Sequence, residues 1–393
     1  MVTYPTEWKT DIIDNIANIY DNLRIPVTKS ERKPGSTPYY GANGIQDYVS
    51  GYTHDGEFVL VAEDGANDLS NYPVIYAKGK IWVNNHAHVL AGIESIADTK
   101  FLSYLLKRVD YTKVLVGGTR AKLNGKIFRS IEITLPKSLR EQQTIASVLS
   151  DFDEHIKNLT QLIEKKKAIR DGALEELLSG TVRLAGFDGK WFEKPLEDIA
   201  LPNGLVRGPF GGSLKKEFFV SKGNKVYEQR NAIYKSIKIG DYYITDEKYN
   251  ELSRFAVKED DFIVSCSGTI GKIYKIPKQH KRGIINQALL KISLDKTKCD
   301  LDYFYKYFEW DKFQDNIIDN TQGGAMKNLV GMDVFRKTLI RMPKDLDEQK
   351  AIAKIIIAMD EEIEALEIEK AKIEGIKEGA MDDLLTGRVR LKI

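Results

Sequence analysis

Apolar residues recur at Ile145, Leu149, Phe152, Ile156, Leu159 and Ile163, at alternating spacings of four and three. The same rhythm returns at Ile352, Ile356, Met359, Ile363 and Leu366. A seam this narrow, flanked by charged residues, predicts two long helices of coiled-coil type rather than broad core-facing ones. Both are punctuated alike. Pro136 and Pro343 lie upstream, Ser138 and Asp345 stand three residues before Glu141 and Glu348 in capping-box spacing, and Gly180 and Gly387 sit where a glycine cap belongs. Helices of about 35–40 residues span roughly 50–60 Å. Each alone would leave its apolar stripe in water, so the two are expected to pair with each other, antiparallel. The alternative is that each seam faces a separate domain or another chain.

The rhythm repeats because the sequence does. Residues 141–184 return as 348–391 at a constant offset of 207, without a gap. Identical pairs include Glu141/Glu348, Gln142/Gln349, Asp153/Asp360, Gly172/Gly379 and Arg183/Arg390. The likeness extends outward: Trp8 matches Trp191, and ITLPKSLREQ matches IRMPKDLDEQ. The stretches between diverge. The pattern predicts a variable domain over 1–140, a spacer helix over 141–184, a second variable domain over 185–347 and a second helix over 348–393, an internal pseudo-twofold repeat. Duplicated frames around divergent contents suit two similar contacts with different targets, and two copies of one partner. Trp8 and Trp191 are expected to anchor the domain–helix junctions.

Within the variable domains the pattern changes. Short β-rich runs such as EFVLVA (57–62) and KIWVN (80–84) alternate with Gly/Asn/Asp turns, and TKFLSYLLKRV (99–109) reads as an amphipathic helix. The second domain follows the same plan, with strands near 225–229, 241–245, 261–265 and 272–276 and a helix around 301–313. The fold class is therefore mixed α/β (α+β), two domains separated by two long antiparallel coiled-coil helices.

Composition narrows the class. A hydrophobic content of 42% over 393 residues supports real cores. No apolar run of about 18 residues predicts a membrane span. MVTYPTEWKTDII lacks the layout of a signal peptide, so a cytoplasmic location is expected, with Cys266 and Cys299 as buried thiols rather than a disulfide. Residues 141–184 hold 6 Lys/Arg against 8 Asp/Glu and residues 348–393 hold 8 against 11, which leaves the rest of the chain with a basic excess of seven. That is a modest footprint of a nucleic-acid partner.

Catalytic motifs are missing. GTIGK has Cys266 five residues before Gly271 and Ile273 after Lys272, so the phosphate-cradling GxxxxGK[ST] is not met. No [DNS]-PP-[YF] tetrapeptide of an amino-methyltransferase occurs. His86 and His88, at i and i+2, would share one face of a strand, but no further Cys or His completes a metal site, and none is expected.

The doubled EQ…IA…LIEKKKAI…LLSG…RL helix, each copy entered through an LPKSLREQ-like segment, resembles the conserved regions of type I restriction–modification specificity (S) subunits. TPYYGANGIQDYVSGYTHDGEFVLVAEDGAN with GKIWVNNHAHVL, and GPFGGSLKK, YITDE, DDFIVSCSGTIGKI and INQALL in the second domain, are similar to that family's target recognition domains. The resemblance covers essentially the whole chain. It implies that each domain reads one half of a bipartite, asymmetric DNA site while the helices act as spacer and dock two methylation (M) subunits. It implies that those subunits methylate adenine N6 with S-adenosylmethionine, that restriction (R) subunits add ATP- and Mg-dependent translocation and cleavage, and that the S subunit itself catalyses nothing and holds no cofactor. The competing reading is a coiled-coil protein–protein scaffold without DNA specificity.

Base readout calls for Arg, Lys, Asn and Gln, and phosphate clamping for cations, hydroxyls and backbone amides. The candidates for DNA contact in the first domain are Tyr39, Tyr40, Asn43, Asn84, His86, Arg120 and Lys122. In the second they are Ser213, Lys215, Lys216, Gln229, Arg230, Asn231, Ser267, Thr269, Gln322 and Lys327.

Overall fold

The computed structural model describes residues 4–69, 71–116, 122–319 and 328–392, without the side chains of Asp319 and Asn328. The chain divides into two compact units, Met1–Gln161 with Glu367–Ile393, and Leu162–Leu366. The division passes through both long helices, Leu139–Ser179 and Leu346–Leu384. Each unit therefore holds one variable domain, the first half of the helix that follows it, and the last half of the other helix. The physical units cut across the segments read from the sequence.

Unit 1 contains β1 (Trp8–Ile12), β2 (Ala17–Ile19), β3 (Pro34–Gly41), β4 (Gly44–Val49), β5 (His54–Ala62), β6 (Val74–Val83), β7 (Ala87–Gly92) and β8 (Glu132–Pro136). Six of them form one sheet in the order β2-β7-β5-β6-β3-β4, antiparallel except where β3 runs parallel to β6. After Glu57 the EFVLVA run is apolar throughout because β5 is covered on both faces. Val59 and Val61 enter a core with helix Thr99–Leu106, while Phe58 and Leu60 join Tyr40, Ile81, Val83 and Val89 on the other side. β1 pairs with β8 and leads the chain into the first long helix.

Unit 2 repeats the plan with β9 (Trp191–Pro195), β10 (Ala200–Arg207), β11 (Asn224–Tyr227), β12 (Tyr243–Ile244), β13 (Phe262–Ser265), β14 (Ile273–Lys275), β15 (Gly283–Ile285) and β16 (Leu289–Leu294). Its sheets run β10-β16-β13-β14 and β12-β11-β15, with β11 parallel to β15 as β3 is to β6. Helix Leu301–Glu309 supplies Tyr303, Phe304, Tyr307 and Phe308 to the core, and β9 pairs with Leu339–Pro343 before the second long helix. Cys266 and Cys299 are free and buried in this core.

The EQ dipeptide that opens each helical repeat is the joint of its unit. Glu141 and Glu348 are 3% and 0% exposed. Arg390 grips Glu141 with Nε at 2.5 Å and Nη2 at 2.9 Å, and Arg183 grips Glu348 with Nε at 2.6 Å and Nη2 at 2.8 Å. These forks are charge-assisted and bidentate. Each ties the start of one long helix to the segment just past the end of the other. The neighbouring Gln142 accepts from the Asp98 amide and donates to Pro136 and Ile96, and Gln349 does the same to Asp300, Pro343 and Lys298. The capping box expected from spacing is left half-made. Ser138 Oγ accepts from the Glu141 amide, but the Glu141 carboxylate is spent on Arg390.

Both helices end as their glycines predict, with φ of 71° at Gly180 and 70° at Gly387, and with the Val182 and Val389 amides, one residue beyond the Schellman position, bonded back to Glu176 and Asp383. A Cβ on Gly180 would lie 3.0 Å from the Trp191 ring, and one on Gly387 3.2 Å from Trp8, so both tryptophans seat helix ends at the junctions. The pairing is antiparallel within each unit: Glu141 meets Arg390 and Asp153 meets Lys377, while Glu348 meets Arg183 and Asp360 meets Arg170. The seam itself is divided. Ile145 and Leu149 pack with Leu384 and Leu385 into the core of unit 1, and Ile352 and Ile356 with Leu177 and Leu178 into that of unit 2. Leu159, Ile163 and Ile363 are buried further along, whereas Phe152, Ile156, Met359 and Leu366 are half-buried. The first turns thus serve domain core and helix pairing together, not pairing alone.

Removing one member of a buried pair strands the other charge, at a cost of about 3–5 kcal/mol, whereas replacing both by apolar groups is far milder. Arg183→Ala, which leaves the fully buried Glu348 carboxylate without its partner, should therefore lower the thermal midpoint of unit 2 well beyond what the Glu348→Met/Arg183→Met double variant does, as read by calorimetry. Equal losses in the two proteins would exclude this role for the fork.

Candidate nucleic-acid interface

At one end of each sheet, loops are fastened together by the same hydrogen bonds. In unit 1 the Asn84 amide donates to the Tyr40 carbonyl at 3.1 Å, Asn84 Oδ1 accepts from the His86 amide at 2.9 Å, and the Glu63 amide donates to the His86 carbonyl at 2.8 Å. In unit 2 Asn286, Tyr227, Ala288 and Cys266 repeat these bonds at 2.9, 3.0 and 2.9 Å. The turn after β5 passes through Gly65 at φ 69°, and the turn after β13 through Gly268 at φ 66°. A left-handed residue at both places is what glycine supplies without strain. Three turns therefore converge in each unit: 41–44, 63–67 and 84–86 in the first, and 228–231, 266–271 and 286–288 in the second.

The convergence brings several candidates together. Asn43 and His86 line an open depression of 280 Å³ with Ala42, Gln46, Asp64 and Gly65. Asn43 Nδ2 donates to the Gly65 carbonyl at 2.8 Å and its Oδ1 accepts from the Asn67 amide at 3.0 Å, so this exposed amide braces the turn. His86 Nδ1 lies 2.5 Å from Asp64. Lys122 reaches the same region through an ion pair with Glu63 at 2.8 Å. In unit 2 the Gln229 amide nitrogen would lie 3.9 Å from a Cβ on Gly268, which places Gln229 against the turn carrying exposed Ser267 and Thr269. Arg230, beside it, is exposed and paired with Glu228 at 3.2 Å.

Other candidates hold the site from inside. Tyr39 is 1% exposed and its hydroxyl bonds Val27; Tyr40 and Asn84 are also buried. Asn231 is fully buried, accepting from the Glu228 amide and donating to Ser236 and Ile239. The side chains of these four candidates are buried: Asn84 and Asn231 bond the backbone of their own turns, Tyr40 joins the apolar cluster under the sheet, and Tyr39 bonds Val27. Ser213, Lys215 and Lys216 sit on exposed turns earlier in the chain, between β10 and β11, outside the three turns. Arg120, Gln322 and Lys327 lie outside the described residues.

His86 and His88 do not share a face. His86 precedes β7, whereas His88 is buried on it, stacked on Phe128, with Nδ1 2.6 Å from Asp21 and Nε2 2.9 Å from the Leu123 carbonyl. Asp21, Glu63 and His88 together have the composition of a metal cluster. Their acceptors are already committed. Arg24 reaches Glu63 at 2.6 Å and the Ala87 carbonyl at 2.9 Å, Lys122 takes the other Glu63 oxygen, and the Val89 amide bonds Asp21 at 2.8 Å. Burial raises the Asp21 pKa, but His88, Val89 and Arg24 outweigh it and the net shift is downward; Glu63 is lowered similarly by Lys122 and Arg24. The network acts as an ionic brace beneath the turns of unit 1.

Sequence reasoning passed over Gln46, Asp64, Arg207, Asn286 and Gln287. Arg207 Nη2 lies 3.4 Å from the Cys266 carbonyl, and a Cβ on Gly208 would collide with Asn286, so the end of β10 rests on these turns. A signal was present: VNNHAHVL and INQALLKI align Asn84 with Asn286, and the Asp-Gly and Ser-Gly pairs follow equivalent strands. At this edge of unit 2 two buried atoms stay without a hydrogen-bond partner, Gln229 Oε1 and Arg207 Nε, as do Arg170 Nε and Tyr303 Oη elsewhere in the unit. An unmet buried polar atom costs about 1–3 kcal/mol, and native structures keep few of them.

The family model described as "Type I restriction modification DNA specificity domain" matches residues 5–167 and 209–378. A chain assigned as a type I restriction enzyme specificity subunit in Haemophilus influenzae is 32% identical over 355 residues, 89% of this chain and 86% of that one. The type I restriction enzyme MjaVIII specificity subunit of Methanocaldococcus jannaschii is 25% identical over 99% of this chain and 94% of its own length. The crystal structure of a type I restriction–modification S subunit from M. genitalium shares the fold, with a TM-score of 0.64 at 16% identity over 98% of this chain and 96% of that one.

The ionic brace sets a pH dependence. A carboxylate whose folded pKa is depressed adds stability above its unfolded pKa, about 3.9, and loses it as pH falls through the folded value. Asp21→Asn should thus be less stable than the parent near neutrality, and the gap should close as pH drops below about 4. A gap in thermal midpoint independent of pH would show that Asp21 acts through packing.

Proposed function

Because the chain belongs to the type I restriction–modification DNA specificity family and is the DNA-recognition subunit of such a system, we propose that each of its two units reads one half of a bipartite, asymmetric site. The observation that carries this reading is the duplicated edge, with three turns held by matching asparagine staples but lined by different side chains. A shared scaffold with divergent lining suits two readers of the same kind of ligand with different sequences. Phosphate contacts position a protein on DNA and base-edge contacts specify the sequence.

The long helices take the part of spacer and dock for two methylation subunits, since a frame present twice suits a partner present twice. In this reading the partners supply the chemistry: adenine N6 methylation with S-adenosylmethionine, and, with restriction subunits, ATP- and Mg-dependent translocation and cleavage. The chain itself selects the site and catalyses no step, in a cytoplasmic complex. No helix among the described residues is long and apolar enough to cross a membrane.

Genome-wide adenine methylation tests this reading in cells expressing the chain with its native methylation subunits. One bipartite motif should appear with the chain and vanish without it. Methylation subunits proven active with another specificity subunit, yet giving no new motif here, would overturn the proposal. The spacer role has its own test. Four residues inserted into both helices, near Gln161 and Glu367, add about 6 Å to each and should lengthen the DNA spacer by about two base pairs. Recognition kept at the original spacing would exclude a ruler.

A further inference from the structure

We propose that Gln229, with Arg207 at the same turn, is the base-reading element of unit 2, and that Gln229 specifies an A·T pair within that unit's half-site. The inference rests on unit 2 being a DNA reader. At the equivalent glycine turns the two units differ. In unit 1 the amide of Asn43 is used up, its nitrogen on the Gly65 carbonyl and its oxygen on the Asn67 amide. In unit 2 Gln229 lies against Gly268 while its Oε1 has no partner. Its neighbours are otherwise committed: Asn231 holds its own turn, Asn286 staples Ala288, and Arg230 pairs with Glu228. Arg207 flanks the same turn, with one nitrogen 3.4 Å from the Cys266 carbonyl and Nε unpartnered.

The kind of unmet atom selects the ligand. A phosphate offers only acceptors, which leaves an unmet carbonyl oxygen unmet. The adenine edge in the major groove offers the N6 amino group as donor and N7 as acceptor, which a glutamine amide meets in one bidentate contact. The donors of Arg207 match the paired acceptors O6 and N7 of guanine in the same way. The unmet amide oxygen and guanidinium nitrogen of unit 2 are enclosed at the 266–271 turn, so base contact requires the two side chains to swing outward, whereas the corresponding turn of unit 1 is internally braced.

The test compares adenine methylomes of cells expressing the native methylation subunits with the parent chain, Gln229→Ala, Gln229→Glu or Arg207→Ala. The parent should give one bipartite motif. Gln229→Ala should keep the spacing and the other half-site, but one A·T position should relax, its discrimination falling roughly 10–100-fold. Gln229→Glu should shift that position toward cytosine, whose N4 group donates to a carboxylate. Arg207→Ala should relax a position in the same half-site. An unchanged motif in both Gln229 variants would overturn the assignment. So would loss of all methylation by a Gln229 variant that still copurifies with the methylation subunits, since that marks a support rather than a reader. A parent chain that directs no motif would instead overturn the recognition reading itself.

Discussion

The structure depends on two buried carboxylates. Glu141 and Glu348 sit inside their units, and each is matched by an arginine from just beyond the end of the other long helix. An uncompensated charge there is too costly for the fold to tolerate. Each fork therefore requires both helices to be present, antiparallel and in register. Once Arg183 is seated on Glu348, Trp191 is placed to donate to the same carboxylate at 3.3 Å and to pack on Gly180. The glutamine following each glutamate then fixes the domain to the helix. Orientation is transmitted from a buried charge to a helix, from the helix to a sheet, and from the sheet to the turns at its edge.

The two edges built on this frame are alike in backbone and different in electrostatics. Unit 1 underpins its turns with linked ionic groups, Arg24, Glu63, Lys122, Asp21 and His88. Unit 2 places Cys266 where unit 1 has Glu63, and burial pushes that thiol up to about 12, so the position is apolar in effect. The duplicated asparagine staples keep the turns in place in both settings. Side chains that vary between the edges are thus free to determine what is contacted, without altering how the turns are held.

Much of this was legible in the sequence, for physical reasons that differ by element. The 207-residue offset and the alternating seam disclosed the helices, their glycine caps and their antiparallel pairing, because helical periodicity is local. The Glu141 and Glu348 forks were hidden by an equally valid local pattern: capping-box spacing pointed to a backbone bond, and only the tertiary partner, 249 positions away in the case of Arg390, diverts the carboxylate. Among candidate site residues, Asn43, His86, Gln229, Arg230, Ser267 and Thr269 fall on the convergent turns. Tyr39, Tyr40, Asn84 and Asn231 were chosen by residue type, and type does not reveal whether an amide or hydroxyl faces outward or holds its own loop. Arg207 was passed over because the end of a strand carries no turn signal.

The interleaving of segments has a consequence for biosynthesis. Unit 2 is one continuous stretch, but unit 1 needs Glu367 and the residues after it, which the ribosome supplies only after the 205 residues of unit 2. At about 5–20 residues per second that is a wait on the order of 10–40 s. During it Glu141, Ile145 and Leu149 have neither Arg390 nor Leu384 and Leu385 to cover them. The nascent chain therefore holds an unfinished first unit while the second can close.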